Sequence, residues 1–217
     1  MRTHVAADSI PGLYSPVLDA HLFAIDANTQ LRKKDSLLEC LQYIVNTTIE
    51  EGKTYPFSEP FGLDECREYF FKHCTVICVK VPAIVRKQST LGVDALKDLD
   101  IDWKEALLGV FYVKPNYAGR CSHICNGGFF VHPAKRGQGI GRELAKAYLY
   151  FAPRLGYKSS VFNLVFATNT ASVRLWERLN FTRVGVIKDA AFIKGRKEPV
   201  DAFVYQYTFP PLEKNTV

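Results

Sequence analysis

The chain has 217 residues, 47% apolar and 13% aromatic, enough to bury one substantial core and slightly more than a minimal domain needs. No apolar run approaches the ~18–20 residues that cross a bilayer, and the first thirty residues lack a basic start followed by an apolar block, so a membrane or secreted protein is not expected and the chain reads as soluble and cytoplasmic. The formal net charge of +6 points to an anionic partner, either a nucleic acid or a small phosphorylated ligand.

Residues 1–34 contain Pro11 and Pro16 and read as an irregular N-terminal extension with one strand near 21–26, ahead of a single domain over 35–217. Ser36-Leu37-Leu38-Glu39 has the form of a capping box, and Leu37, Leu38, Leu41, Ile44, Val45, Thr48 and Ile49 then recur at helical spacing until Gly52. A second helix is predicted over 63–73 and a strand over 75–81, stopped by Pro82. Residues 83–105 are polar and read as a long connection. Strands over 107–114 and 125–131 flank a turn marked by Pro115-Asn116 and Ala118-Gly119 and form an antiparallel pair. From Gly141, the residues Leu144, Ala145, Tyr148, Leu149 and Ala152 trace a helix face that Pro153 and Gly156 close. A strand over 159–167, a helix over 170–179 and strands over 181–187 and 202–209 complete the chain.

The six cysteines, Cys40, Cys66, Cys74, Cys78, Cys121 and Cys125, sit mostly inside apolar periodic segments of a chain too large to need staples, which suits reduced thiols. Cys121, His123 and Cys125 offer three close ligands without a fourth, so a hairpin turn with free thiols is expected there, and no metal. From His132 to Lys158 the basic residues Lys135, Arg136, Arg142, Lys146, Arg154 and Lys158 face one acidic residue, Glu143. A phosphorylated cofactor accounts for that cluster as well as a nucleic acid does.

Between a strand and a helix lies Arg136-Gly137-Gln138-Gly139-Ile140-Gly141. Glycines let such a loop turn tightly and bring unpaired N–H groups to an anion, reinforced by the helix N-terminus. Glycine-rich turns also join strands to helices for steric reasons alone, so the loop by itself leaves both readings open. A dinucleotide fold lacks its acidic strand end about twenty residues on, and no Gly-Lys-Ser/Thr triplet is present.

Arg136, Gly139 and Gly141 resemble the acetyl-CoA loop of the GNAT acetyltransferases, and Asn169, Leu175-Trp176-Glu177-Arg178-Leu179 and Asn180-Phe181 resemble the helix and following aromatic that come later in that superfamily. The strings GKTYP at 52–56, KPNYAGRCSHICNGGFFV at 114–131, FNLVFATN at 162–169 and EPVDA at 198–202 further resemble the fungal L-azetidine-2-carboxylate N-acetyltransferases. The resemblance implies an α/β GNAT fold, a mixed and mostly antiparallel splayed sheet with helices on both faces. It also implies acetyl-CoA as co-substrate and, as acceptor, a small amino acid with a proline-like ring nitrogen. A nucleic-acid partner is not implied; dimers are frequent in the family, so a homodimer is among the assemblies it implies.

By the same resemblance, the cofactor lies along Val131, Arg136, Gly137, Gln138, Gly139, Ile140, Gly141 and Asn169, with a carbonyl-binding N–H from the stretch 130–132. Gly127-Gly128 is compatible with a bulge there. Asn126 and Asn163 fall at the positions of acceptor-site asparagines, with Leu164 and Tyr55 beside the acceptor, although Tyr55 also reads as an ordinary half-buried loop tyrosine. Two departures stand out. The first strand has no Glu or Asp as base, which implies a water route or another carboxylate, and Trp176 stands where many members carry an acid tyrosine. His123 and His132 are expected in solvated or capping roles.

Overall fold

The computed structural model describes residues 5–82 and 91–212, so the first part of the connection expected over 83–105 lies outside the described residues. Strands β1 (Leu13–Ser15), β2 (Ala20–Ile25), β3 (Cys74–Val79), β4 (Leu107–Pro115), β5 (Ile124–Val131), β6 (Ser159–Phe166), β7 (Thr182–Ala191) and β8 (Val200–Thr208) form one sheet in the order β1-β2-β3-β4-β5-β6-β8-β7. Every neighbouring pair is antiparallel except β5 and β6, which run parallel and meet only at Ile124↔Ser159 and Cys125↔Ser160. Beyond those two pairs the strands diverge, so the sheet is splayed as the resemblance implies.

Helices cover both faces. On one side α1 (Lys34–Glu51) and α2 (Leu63–Phe71) bury Leu37, Leu41, Ile44, Cys66 and Phe70 against Phe23, Ile77, Val110 and Phe130. On the other, α4 (Ile140–Arg154) and α5 (Thr170–Arg178) pack Leu144, Tyr148, Phe151 and Trp176 against Phe111, Cys125 and Phe162. A short α3 (Trp103–Ala106) precedes β4 and is capped by the Asp102 side chain. Among the described residues no helix is long and apolar enough to cross a membrane.

Three local expectations change. Helix α1 begins at Lys34, because the Lys34 ammonium donates to the carbonyls of Asp26, Ala27 and Thr29 and the Leu37 N–H closes the first turn on Lys33. Ser36 therefore lies inside the helix, and the capping box is not its N-terminus. The segment before residue 35 supplies two strands to the sheet, and β2 is buried along its whole length.

The third concerns β5, whose register with β4 runs unbroken through Gly127-Gly128. These glycines clear space for rings: a Cβ at Gly127 would come within 2.7 Å of the Tyr148 ring, and one at Gly128 within 2.5 Å of the Tyr112 ring. The irregularity falls instead in β6, between Phe162 and Val165, at Asn163-Leu164.

Candidate active site

The gap between β5 and β6 has a definite lining. Ile124 accepts from the Asn116 N–H at 2.8 Å and His132 donates its N–H to Leu108 at 3.0 Å, so the even-numbered residues of β5 turn their backbone groups to β4. Alternation along the strand then turns those of Phe129 and Val131 to the opposite side, where β6 has already left the ladder.

At the end of β5 where the strands still touch, three amides form a cluster. Asn116 Oδ1 accepts from Asn126 Nδ2 at 3.1 Å and from Asn163 Nδ2 at 2.6 Å, while Asn116 Nδ2 donates to Asn163 Oδ1 at 3.1 Å. The cluster thus ties the end of β4 to β5 and β6 across the head of the gap. Asn126 and Asn163 are brought together, as expected, but through Asn116, a residue that Pro115-Asn116 marked only as part of a turn.

On the same sheet face, Tyr112 stands two residues before Lys114 and faces Gly128 across the ladder. Its hydroxyl lies 3.2 Å from that of Tyr55, which also bonds Tyr69. Burial, with Tyr112 nearby, pushes the Tyr55 phenol well above its ordinary pKa, and burial with both neighbours does the same to Tyr69, so both stay protonated. Tyr55 and Leu164 line a cavity of about 550 Å³ together with Glu50, Phe57, Phe192 and Lys194. Tyr55 is therefore a wall of this cavity.

At the other end of β5 the glycine loop leads into α4. Gly137 and Gly139 adopt left-handed backbone, with φ of 80° and 78°. The N–H groups of Gly137, Gly139, Ile140 and Gly141 find no acceptor among the described residues, whereas Arg142 and Glu143 already bond to Gly139 O. Four free donors at the N-terminus of a 15-residue helix fit a pyrophosphate. The Arg136 guanidinium is 2.6 Å from Glu51 Oε1, at the end of α1.

Of the remaining residues, His132 is the one that sits differently from expectation. Asn169 caps α5 by accepting from the Ser172 N–H at 3.2 Å, which leaves its amide nitrogen for a ligand. His132 is buried against Tyr43, its Nδ1 without a partner, and burial together with Lys135 lowers its pKa, so it is a neutral interior imidazole and not a solvated one. Trp176 packs on Phe129 and Phe162 with ring centroids 4.9 and 4.5 Å away. Cys125 turns its thiol to Tyr148 Oη at 3.1 Å inside the core, while Cys121 and His123 are exposed, so the three do not converge.

Comparison with known proteins names the fold and the chemistry. A model described as the Acetyltransferase (GNAT) family matches residues 93–181, which hold β4, β5, the glycine loop, β6 and α5. N-acetyltransferase aca1 of Schizosaccharomyces pombe is 55% identical over 206 residues, covering 95% of this chain and 96% of its own. Protein SPT10 of Saccharomyces cerevisiae is 29% identical over 82% of this chain, a region that is 32% of that protein. Among solved structures, a GCN5-related N-acetyltransferase from Kribbella flavida superposes with a TM-score of 0.64 at 23% identity over 86% of this chain and 97% of that one. A phosphinothricin acetyltransferase from Sinorhizobium meliloti, solved with acetyl-CoA, gives 0.64 at 17% identity over 87% and 88%. With a relative matched along nearly its whole length, a splayed sheet and an anion loop in the matched region, the chain belongs to the GNAT family and is an acetyl-CoA-dependent N-acetyltransferase.

Proposed function

We propose that the enzyme acetylates the ring nitrogen of small proline-like secondary amino acids, with L-azetidine-2-carboxylate and cis-4-hydroxyproline as type acceptors, and so detoxifies proline analogues. The observation that carries this reading is the Asn116–Asn126–Asn163 cluster at the head of the gap. Primary amides both donate and accept, so they can orient a zwitterion without repelling either end. A polyamine, an aminoglycoside or a protein lysine calls for carboxylates instead, and none takes part in this cluster among the described residues. The strings that resemble the azetidine-carboxylate enzymes carry these same groups, Tyr55 in the first, Asn116 and Asn126 in the second, Asn163 and Leu164 in the third.

In this reading the acetyl-CoA pyrophosphate rests on the free N–H groups of the 137–141 loop, with Arg136 and the Asn169 amide nearby, and the pantetheine arm follows β5. The thioester carbonyl is polarised by a backbone N–H of the Phe129–Val131 stretch. The acceptor, held by Asn126, Asn163, Leu164 and Tyr55, attacks as the neutral amine: the C–N bond forms, the oxyanion gathers on that N–H, and the C–S bond breaks to release a thiolate, which takes up the proton still on the ring nitrogen and leaves the tertiary amide and free thiol. A thiol of pKa ~8.5 leaves adequately without an acid, so Trp176 costs the reaction little. The ammonium proton departs beforehand through water in the open cavity, which Glu50 also lines. Position and oxyanion stabilisation supply most of the rate. A cytoplasmic homodimer through exposed β7, whose Val184, Val186 and Ile187 face outward, belongs to the same proposal.

A mass-spectrometric competition screen checks the acceptor. With acetyl-CoA and equal amounts of azetidine-2-carboxylate, cis-4-hydroxyproline, spermidine, an aminoglycoside and a lysine peptide, the two ring amino acids should be acetylated first. Preferential modification of a primary amine would overturn the reading.

A further inference from the structure

Lys114, the penultimate residue of β4, stands directly opposite Asn126 on β5. Side chains so opposed have their Cβ atoms about 4.5–5.5 Å apart and project from the same face of the sheet. Its ammonium reaches two aromatic rings. It lies 5.0 Å from the centre of the Tyr112 ring and 5.5 Å from that of Tyr69, in a half-buried position.

The two rings it lies over belong to neutral tyrosines, and Asn126, opposite it across the ladder, belongs to a cluster of neutral amides with Asn116 and Asn163. Among the described residues no carboxylate pairs with Lys114, whose contacts are the two rings. Ring faces attract a cation but do not neutralise it, so this half-buried ammonium has room in its charge balance for an anion.

We propose that Lys114 recognises the carboxylate of the acceptor and restricts the enzyme to amino acids. The inference deepens the functional reading above and rests on it. With the carboxylate between Lys114 and the Asn126 amide, the amine of an amino acid is only one carbon further on and turns toward the gap. A polycation is repelled by the same group.

The test compares L-azetidine-2-carboxylate with its uncharged carboxamide as acceptors for the wild type, Lys114→Met, Lys114→Gln and Lys114→Arg, with acetyl-CoA affinity and melting temperature measured alongside. The wild type should favour the acid by about 10- to 100-fold in kcat/KM, the range expected for a hydrogen bond between charged groups. In the Met and Gln variants that preference should collapse, mainly through a higher KM for the acid, while the carboxamide and acetyl-CoA are little affected. Arg should keep part of it. A merely structural lysine would lower the melting temperature and leave the preference intact; a folded Met or Gln variant that still prefers the acid overturns the inference alone. A wild type that does not distinguish acid from amide overturns the amino-acid reading itself, and the inference falls with it.

Discussion

Asn116 Oδ1 is the shared hydrogen-bond acceptor for the amides of Asn126 and Asn163, so the geometry of the two residues proposed to hold the acceptor depends on one that holds no place in the expected site. Asn126 and Asn163 were legible because polar amides among apolar strand residues need partners and because they fall at the positions of known acceptor residues. Asn116 was not, since Pro115-Asn116 signals a turn and nothing local says that its side chain folds back across β5. The cluster gives a sharp pair of substitutions. Asn126→Ala should lower kcat/KM for the acceptor by about 1.5–4 kcal/mol, the loss of an oriented amide contact, with acetyl-CoA affinity nearly unchanged. Asn126→Asp should fall lower still, because its charge repels the acceptor carboxylate and sets a second acceptor against Asn116 Oδ1. Steady-state kinetics with thermal melts decide this: a faster Asp variant would mean that position 126 serves as a base site, and a fully active Ala variant that it does not touch the acceptor.

At the level of elements, the glycine loop and the end of α1 are linked by the Arg136–Glu51 pair, whose side chains are 42% and 37% exposed. Such a pair contributes about 0.2–1 kcal/mol after solvent screening. If Arg136 turns to the pyrophosphate, that interaction is given up on binding, and Glu51 acts as an internal competitor. Glu51→Gln should therefore tighten acetyl-CoA binding by about 1.5- to 5-fold in calorimetry at low salt, with the gain fading as salt rises. Unchanged or weaker binding would show that Arg136 stays with α1. Periodicity read the bodies of the helices and strands well, because the buried stripes of α1 and α4 are long and regular. It missed the start of α1, set by a lysine that gathers carbonyls from the preceding loop, and the β6 irregularity, which depends on how β8 pairs. The Gly127-Gly128 pair looked like a bulge because sequence does not reveal two tyrosine rings arriving from opposite faces.

For the molecule as a whole, β5 orders the chemistry. The amide cluster lies near its start, the anion loop follows its end, and the N–H groups of Phe129 and Val131, turned away from β4, fall between, Val131 lying about 17 Å along the strand from Asn126. In the proposed reading, donor and acceptor come from opposite ends and meet in the gap. The fold class and this order were legible in the motifs. The full sheet was less so, since β1 and β2 are short or wholly buried and lack an alternating pattern. No thiol among the described residues serves as an acetyl carrier in the gap: Cys125 faces Tyr148 in the core and Cys121 lies exposed beyond the strand. The central claim, direct transfer between two substrates bound together, is tested most directly by initial velocities with acetyl-CoA and azetidine-2-carboxylate varied against each other. Intersecting double-reciprocal lines, with no acetylated chain after rapid quench in the absence of acceptor, are the predicted result; parallel lines with a trapped acetyl-enzyme would contradict it.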